Sequence, residues 1–309
     1  MPDNPVGTPP AEVRIDPALV RSLVGTQFPQ YASRRIRPMG SGWDNVMMHL
    51  GTDLLVRLPR RAIAAVLIEE EQRWLPELSS RLPIDVPVPI HIGRPSGDYP
   101  WPWSIVRWLQ GDGADRSPPN ADEGCRLASF LSCLHQAAPP GVRANPVRGV
   151  PLATRADLLG ERMDRLARTT AAITPAVRAA WHDALAAPPS NERRWLHGDL
   201  HPLNILVWRG RITGVIDWGD LTAGDAATDL AVFWMLFDES TRERSLGAYG
   251  QVDDAMRARA LGWAILFGVV LLDTGLVDHP RHAEVGAAIL RRIARNKPLW
   301  SPGRNIRSF

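Results

Sequence analysis

Apolar and polar positions divide the chain into two regimes. Up to about residue 109, short apolar runs alternate with turn residues. A leading arm carries one short helix, predicted over residues 17–24. Residues 34–38 read as a strand and Gly40-Ser41-Gly42 as a turn. Residues 46–50 and 54–58 flank Gly51-Thr52-Asp53, the pattern of a tight hairpin. A helix follows over residues 63–81, where Val66, Leu67, Trp74, Leu75 and Leu78 recur at helical spacing. Pro83, Pro87 and Pro89 interrupt it and introduce a strand, and residues 93–97 turn the chain. Residues 103–109 form a further strand, ending at Gln110-Gly111-Asp112. Hairpin, helix and two strands make a small sheet with one helix packed on it.

From Ala121 onward the period is helical. The spacing predicts helices over residues 121–136, 154–168, 175–187, 226–236, 253–273 and 281–296. One β insert breaks the series: residues 205–208 and 212–216 flank Arg209-Gly210-Arg211. Residues 137–150, rich in Pro and Gly, read as a loop over one face. The expected fold is α+β, with an arm over residues 1–33. A small antiparallel β lobe with one helix covers residues 34–109, and a larger, mainly helical lobe covers residues 110–309.

Composition agrees with two lobes. A chain of 309 residues exceeds one compact core. Hydrophobic content of 45% with 22% charged residues is ordinary for a globular protein. No run of about 18 uncharged apolar residues occurs, and the polar N-terminus lacks the basic-then-apolar order of a signal peptide. A cytoplasmic protein with no membrane partner is expected, as monomer or weak dimer. Cys125 and Cys133 fall in one predicted helix, about 12 Å apart at about 1.5 Å per residue, too far for a disulfide. They read as buried thiols, and no Cys/His spacing suggests zinc.

Net charge is only +3, but its distribution is uneven. Residues 197–278 hold twelve Asp/Glu and six Arg, and residues 279–309 hold seven Arg/Lys and one Glu. The basic tail reads as a solvated surface, with no nucleic-acid partner. Lys297 is the only lysine.

The segment with the sharpest chemistry is His197-Gly198-Asp199-Leu200-His201-Pro202-Leu203-Asn204, followed after the β insert by Asp217-Trp218-Gly219. Phosphoryl transfer needs a carboxylate to accept a hydroxyl proton and metal ions to bridge the phosphates. Asp199 and Asn204 have the five-residue offset of the kinase catalytic loop, where Asp is the base and Asn a Mg²⁺ ligand. Asp217-Trp218-Gly219 stands where kinases carry D-F-G, whose Asp is the second ligand. Singly, each residue suits a turn or a cap; the joint spacing points to chemistry.

Three blocks carry a wider likeness: His197 to Leu206, Gly214-Val215-Ile216-Asp217-Trp218-Gly219-Asp220, and Gly224-Asp225-Ala226-Ala227-Thr228-Asp229-Leu230-Ala231. With Gly42-Trp43-Asp44-Asn45, Val56-Arg57-Leu58-Pro59-Arg60 and Tyr99-Pro100-Trp101-Pro102-Trp103, the chain resembles the aminoglycoside phosphotransferase family over residues 34–296. The resemblance implies a fold similar to that of protein kinases, with ATP or GTP and Mg²⁺ as cofactors. It implies that His197 and Asp229 support the catalytic loop, although Asp229 equally suits a helix dipole. Asp225 sits at the preceding turn, and His201 reads as a structural residue. The backbone of residues 106–109, Val106 and Trp108 included, would bind the adenine edge.

Gly40, Ser41, Gly42 and Asn45 would cradle phosphates, with two of the three glycines of G-x-G-x-x-G. The following strand carries Arg57 where kinases have lysine, a planar fork in place of a point charge. Its expected partner is Glu71, four residues from both Leu67 and Leu75 and so on their apolar face, with Glu70 second. For a polycationic aminoglycoside acceptor, Asp220, Asp238, Glu239 and Asp273 are candidate contacts. Some relatives bind their antibiotic with an acidic C-terminal end, whereas this chain ends in Arg304 to Phe309. The same fold serves choline, homoserine, fructosamine and macrolide kinases; Asn204 speaks against the last, which tend to have His there. A catalytically silent kinase-like binding protein is the alternative of a different class.

Overall fold

The computed structural model describes residues 7–97 and 99–295; Lys297 and the tail from Arg304 to Phe309 lie outside them. Helix α1 (Pro17–Gln27) opens the fold, capped by Asp16, whose carboxylate accepts from the amides of Ala18 and Leu19. It packs Val20, Leu23 and Val24 against a five-stranded antiparallel sheet. The strands are β1 (Ile36–Ser41), β2 (Asn45–Leu50), β3 (Leu54–Pro59), β4 (Pro89–Gly93) and β5 (Trp103–Arg107), in the order β1-β2-β3-β5-β4. Helix α2 (Ala62–Ser79) crosses from β3 to β4, burying Ile68, Glu71, Leu75 and Leu78. The expected turn at Gly40 to Gly42 begins later. Gly40 pairs with Met47 and Ser41 with Val46 after a bulge at Met39, so β1 runs to Ser41. Pro38 is tolerated because β1 is an edge strand.

The remaining chain is mostly helical. β6 (Asp112–Gly113) leads to α3 (Glu123–Leu134), then α4 (Ala156–Thr169), α5 (Pro175–Ala186) and β7 (Arg194–Leu196). The insert is β8 (Ile205–Trp208) and β9 (Arg211–Val215), with β6 joining β8. β10 (Thr222–Gly224) pairs antiparallel with β7. The helix expected over residues 226–236 is two short ones, α6 (Ala227–Leu230) and α7 (Val232–Leu236). Then come α8 (Glu239–Tyr249), α9 (Asp254–Asp278) and α10 (Pro280–Arg295). Cys125 and Cys133 both lie on α3 as free thiols, half-buried where burial was expected.

Helix α9 is the axis of this half. Asp253 caps it, and α4, α5, α6 and α10 all contact it. Among the described residues it is long and apolar enough to cross a membrane, yet 83% of its most apolar window is buried within the fold. It runs five residues beyond its expected end at Asp273. There α10 crosses at backbone distance: a Cβ on Gly286 would lie 2.4 Å from the Leu272 nitrogen, and one on Gly275 2.2 Å from that of Ala283. Only glycine permits this approach.

The buried pair between Asp225, ahead of α6, and Arg259 on α9 locks the axis to the site. Arg259 Nε donates to Asp225 Oδ2 at 2.7 Å and Nη1 to the Pro188 carbonyl at 2.7 Å. Both side chains are about nine-tenths buried, at 10% and 6% exposure. Arg259→Met should therefore cost about 3–5 kcal/mol in urea unfolding, because Asp225 is left charged without its partner. A loss below about 1 kcal/mol would show that this pair does not hold α6 to α9.

Candidate active site

The loop between β7 and β8 is built around one carboxylate. Asp229 of α6, fully buried, accepts from the amides of His197 at 2.7 Å and Gly198 at 2.9 Å. It also accepts from His135 Nε2 at 3.2 Å, and His135 Nδ1 faces the Tyr249 hydroxyl at 2.9 Å. Burial pushes that hydroxyl up to about 12. His197 fastens the loop from the other side. Its Nε2 donates to the Ile216 carbonyl at 3.0 Å, so Nδ1 is left to accept the Asp199 amide at 3.2 Å. Gly198 has φ +84°, and a Cβ there would lie 2.3 Å from the Asp220 carbonyl oxygen, so no other residue fits.

These restraints aim Asp199, Asn204 and Asp217 at one another. The Asn204 side-chain amide donates to the Asp199 carbonyl at 2.9 Å and to its Oδ2 at 3.3 Å. The Ile216 amide donates to the Asn204 carbonyl at 2.9 Å, seating Asp217 beside the loop. Asp217 is left-handed, at φ 63° and ψ 69°, a conformation Asp tolerates better than most residues. Burial alone would raise the Asp199 carboxyl, but Arg148 and His201 outweigh it and hold it well below the usual carboxylate range.

Arg148 escaped the sequence reading, which saw only a Pro- and Gly-rich loop over residues 137–150. Its Nη2 donates to Asp199 Oδ1 at 2.5 Å, and its Nε lies 3.6 Å from Asp220 Oδ2. Its guanidinium sits 4.9 Å above the Phe267 ring. The loop is anchored, not loose. Asn145 donates to Asp220 Oδ1 at 2.7 Å and, through its amide, to Thr222 Oγ1 at 3.0 Å; the Gly149 carbonyl accepts from the Asp225 amide at 3.1 Å. Nothing in residue type or period marks Arg148.

The sheet presents a second cluster. Arg57 on β3 donates to Glu71 Oε2 at 2.5 Å and to Asp217 Oδ1 at 2.9 Å. Glu71 is fully buried, as its place on the apolar face of α2 predicts, whereas Glu70 bonds the Trp74 indole. With its amide oxygen turned inward, Asn45 accepts from Arg57 Nη2 at 3.2 Å and Nε at 3.3 Å. Glu71 and Asp217 keep the Arg57 guanidinium charged against its burial. Gly40 has open space where a Cβ would stand, and a Cβ on Gly42 meets only the Asn45 carbonyl at 3.8 Å. Val106 is a buried β5 residue paired with Leu55, and the Trp108 amide donates to the Asp53 carbonyl. That amide is thus not open to a ligand.

Asn204 and Asp217 suit a hard cation. Asn204 turns its NH₂ to Asp199, which leaves its amide oxygen as the ligating atom, and Asp217 is 56% exposed with Oδ1 alone on Arg57. Among the described residues no three or more His, Cys, Asp or Glu form a metal cage. Two oxygen ligands completed by phosphates is the usual Mg²⁺ arrangement.

The candidate substrate carboxylates are dispersed in their roles. Asp220 is taken by Asn145 and Arg148. Asp238 caps α8 through the Thr241 amide at 2.8 Å, and Glu239 is exposed in the first turn of that helix. Asp273 is buried between Arg165, at 3.0 and 2.7 Å, and Arg162, at 3.2 Å.

A family model described as the phosphotransferase enzyme family matches residues 35–263. The homoserine kinase of Methylocella silvestris is 34% identical over 150 residues, 46% of this chain and 42% of that protein. The chain matches between 21% and 48% of the length of its curated relatives. Among solved structures, the GDP complex of aminoglycoside 2'-phosphotransferase-IIIa superposes with a TM-score of 0.69 at 22% identity, covering 91% of this chain and 99% of the other. Macrolide 2'-phosphotransferase MphH from Brachybacterium faecium gives 0.59 at 21% identity, covering 88% and 97%. At such identities these structural likenesses show the fold.

Asp229→Ala should strip the His197 and Gly198 amides of their acceptor, at about 1–3 kcal/mol for each buried donor left unpaired. Hydrogen exchange at those two amides should rise toward that of an exposed loop. Unchanged exchange at both would remove Asp229 from the support of the loop.

Proposed function

The chain belongs to the phosphotransferase enzyme family, and from that premise we propose that it moves the γ-phosphoryl group of a nucleoside triphosphate onto a hydroxyl of a small molecule. The observation that carries the reading is the convergence of Asp199, Asn204 and Asp217 through the Asn204 amide and the Ile216–Asn204 backbone bond. Asp199 orients the acceptor hydroxyl and takes its proton as the oxygen bonds to phosphorus; the bond to the β-phosphate oxygen breaks and the nucleoside diphosphate leaves. Asn204 and Asp217 would hold Mg²⁺, which supplies neutralisation of the charge on the phosphates. Arg57, braced by Glu71, would take the place of the kinase lysine, and its ion pair speaks against the silent-protein alternative: the swap keeps the cation and its carboxylate partner in place.

ATP or GTP suits the nucleotide side equally. For the acceptor, the family resemblance puts aminoglycosides first and the matched homoserine kinase offers a hydroxylated amino acid. Asp220 and Asp273, two of the carboxylates a polycation would need, are already engaged by arginines.

Asp199→Ala should lower acceptor-dependent nucleoside diphosphate release about 10²- to 10⁴-fold while the nucleotide Kd stays within a small factor. Normal turnover in that variant would sink the assignment of the base. Asp217→Ala should weaken nucleotide binding only when Mg²⁺ is present. An equal loss with and without Mg²⁺ would assign Asp217 to holding Arg57 instead.

A further inference from the structure

Beside Asp199 the molecule gathers cations. Arg155, Arg162 and Arg165 fall at i, i+7 and i+10, on one face at the start and along the length of α4. Arg148 continues that stripe to the Asp199 carboxylate. Against these four arginines stand three aspartates. Arg162 and Arg165 share Asp273, and Arg148 serves both Asp199 and Asp220. Arg155 has no hydrogen bond or ion pair among the described residues. Burial, then Arg148 and Arg162, lower its basicity, and no carboxylate offsets them.

The same cluster holds unmet donors. Arg155 Nε is buried without a hydrogen-bond acceptor, and Arg148 Nε has none nearer than Asp220 Oδ2 at 3.6 Å. Buried donors are rarely left so, and these two on neighbouring guanidiniums call for an acceptor that arrives from outside. A planar guanidinium with open N–H groups matches a carboxylate or phosphate.

We propose that the acceptor of the phosphoryl group is a small hydroxylated anion, a carboxylic acid or a phosphate ester, whose charge is held by Arg148 and Arg155. This rests on the phosphotransferase reading and names its substrate class. The anion draws part of Arg148 away from Asp199. That frees Oδ1 to face the hydroxyl. A polycation would instead meet Arg155 with no carboxylate to offset it.

The test uses the full chain with Mg²⁺ and ATP. The acceptors are L-homoserine, D-glycerate and glycerol 3-phosphate as anion-bearing hydroxyl compounds, against kanamycin and choline as cationic ones. Binding is followed by calorimetry and turnover by nucleoside diphosphate release. Wild type should bind and phosphorylate within the anion-bearing set, carboxylate and phosphate members showing which charge is preferred. Arg155→Gln should raise KM for that acceptor about tenfold or more with little change in kcat or in nucleotide Kd, and Arg155→Lys should recover part of it. Arg155→Gln should also fold normally, because it removes a half-buried cation that no carboxylate offsets. Phosphorylation of kanamycin or choline with the anions inert would overturn the anionic acceptor and leave the kinase standing. So would an unchanged KM in Arg155→Gln, failure of every anion to bind at millimolar concentration, or a loss confined to nucleotide Kd, which would assign the arginines to the triphosphate. Absence of Mg²⁺-dependent nucleotide binding would strike the phosphotransferase reading itself.

Discussion

One buried carboxylate organises the mainly helical half of the molecule. Asp229 is wholly removed from water, so its charge must be met by the protein. Two backbone amides and a histidine meet it, and meeting it fixes the path of residues 197 and 198. From that path the rest follows by short bonds: His197 to the Ile216 carbonyl, Asp199 to Asn204, and Asn204 to the strand end that carries Asp217. The cost of burying one charge is thereby converted into the placement of two others, Asp199 and Asp217, and of the Asn204 amide between them. Asp229 is itself backed by His135 and Tyr249, and by α6, which Asp225 and Arg259 fasten to α9.

The sheet is tied to this framework at Asp217. Arg57 lies between a carboxylate of its own half, Glu71, and one from the helical half, Asp217. A guanidinium can bridge both because its N–H groups form a fixed fork, which an ammonium does not offer. The replacement of the kinase lysine thus gives this chain a cross-link between the two halves. Asp217 accepts that bond from a left-handed backbone, and Asp is among the few residues that adopt one readily.

Legibility in the sequence followed the range of the interactions. The β3 to α2 segment, the Glu71 partner and the clustering of Asp199, Asn204 and Asp217 were readable because apolar period and fixed spacing are local signals. Helix α8 was not. Its buried face is Thr241, Arg242, Ser245 and Leu246, with no apolar stripe, and it is seated by the Asp238 cap and by Gly124 of α3, where a Cβ would lie 2.3 Å from Ser245 Oγ. The three-residue strands β7 and β10 are too short for a period to show. Arg148 was invisible for a different reason: its role depends on tertiary contacts of Asn145 and Gly149 with residues some 75 positions away.

Charge counted along the chain also misled about charge in space. Residues 197–278 look strongly acidic, and that excess first suggested a site for a polycation. Folding brings Arg162 and Arg165 to Asp273, Arg148 to Asp199 and Asp220, and Arg257 to Glu243. Most of these arginines come from outside the acidic window. Beside Asp199 and Asp273, whose carboxylates are matched in this way, stands Arg155 with no carboxylate partner, on the same face as Arg162 and Arg165. In a medium of reduced dielectric an unmatched charge weighs more than a net count over exposed residues. The proposed sign of the acceptor therefore rests on the guanidinium without a carboxylate beside Asp199 and not on the acidic segment.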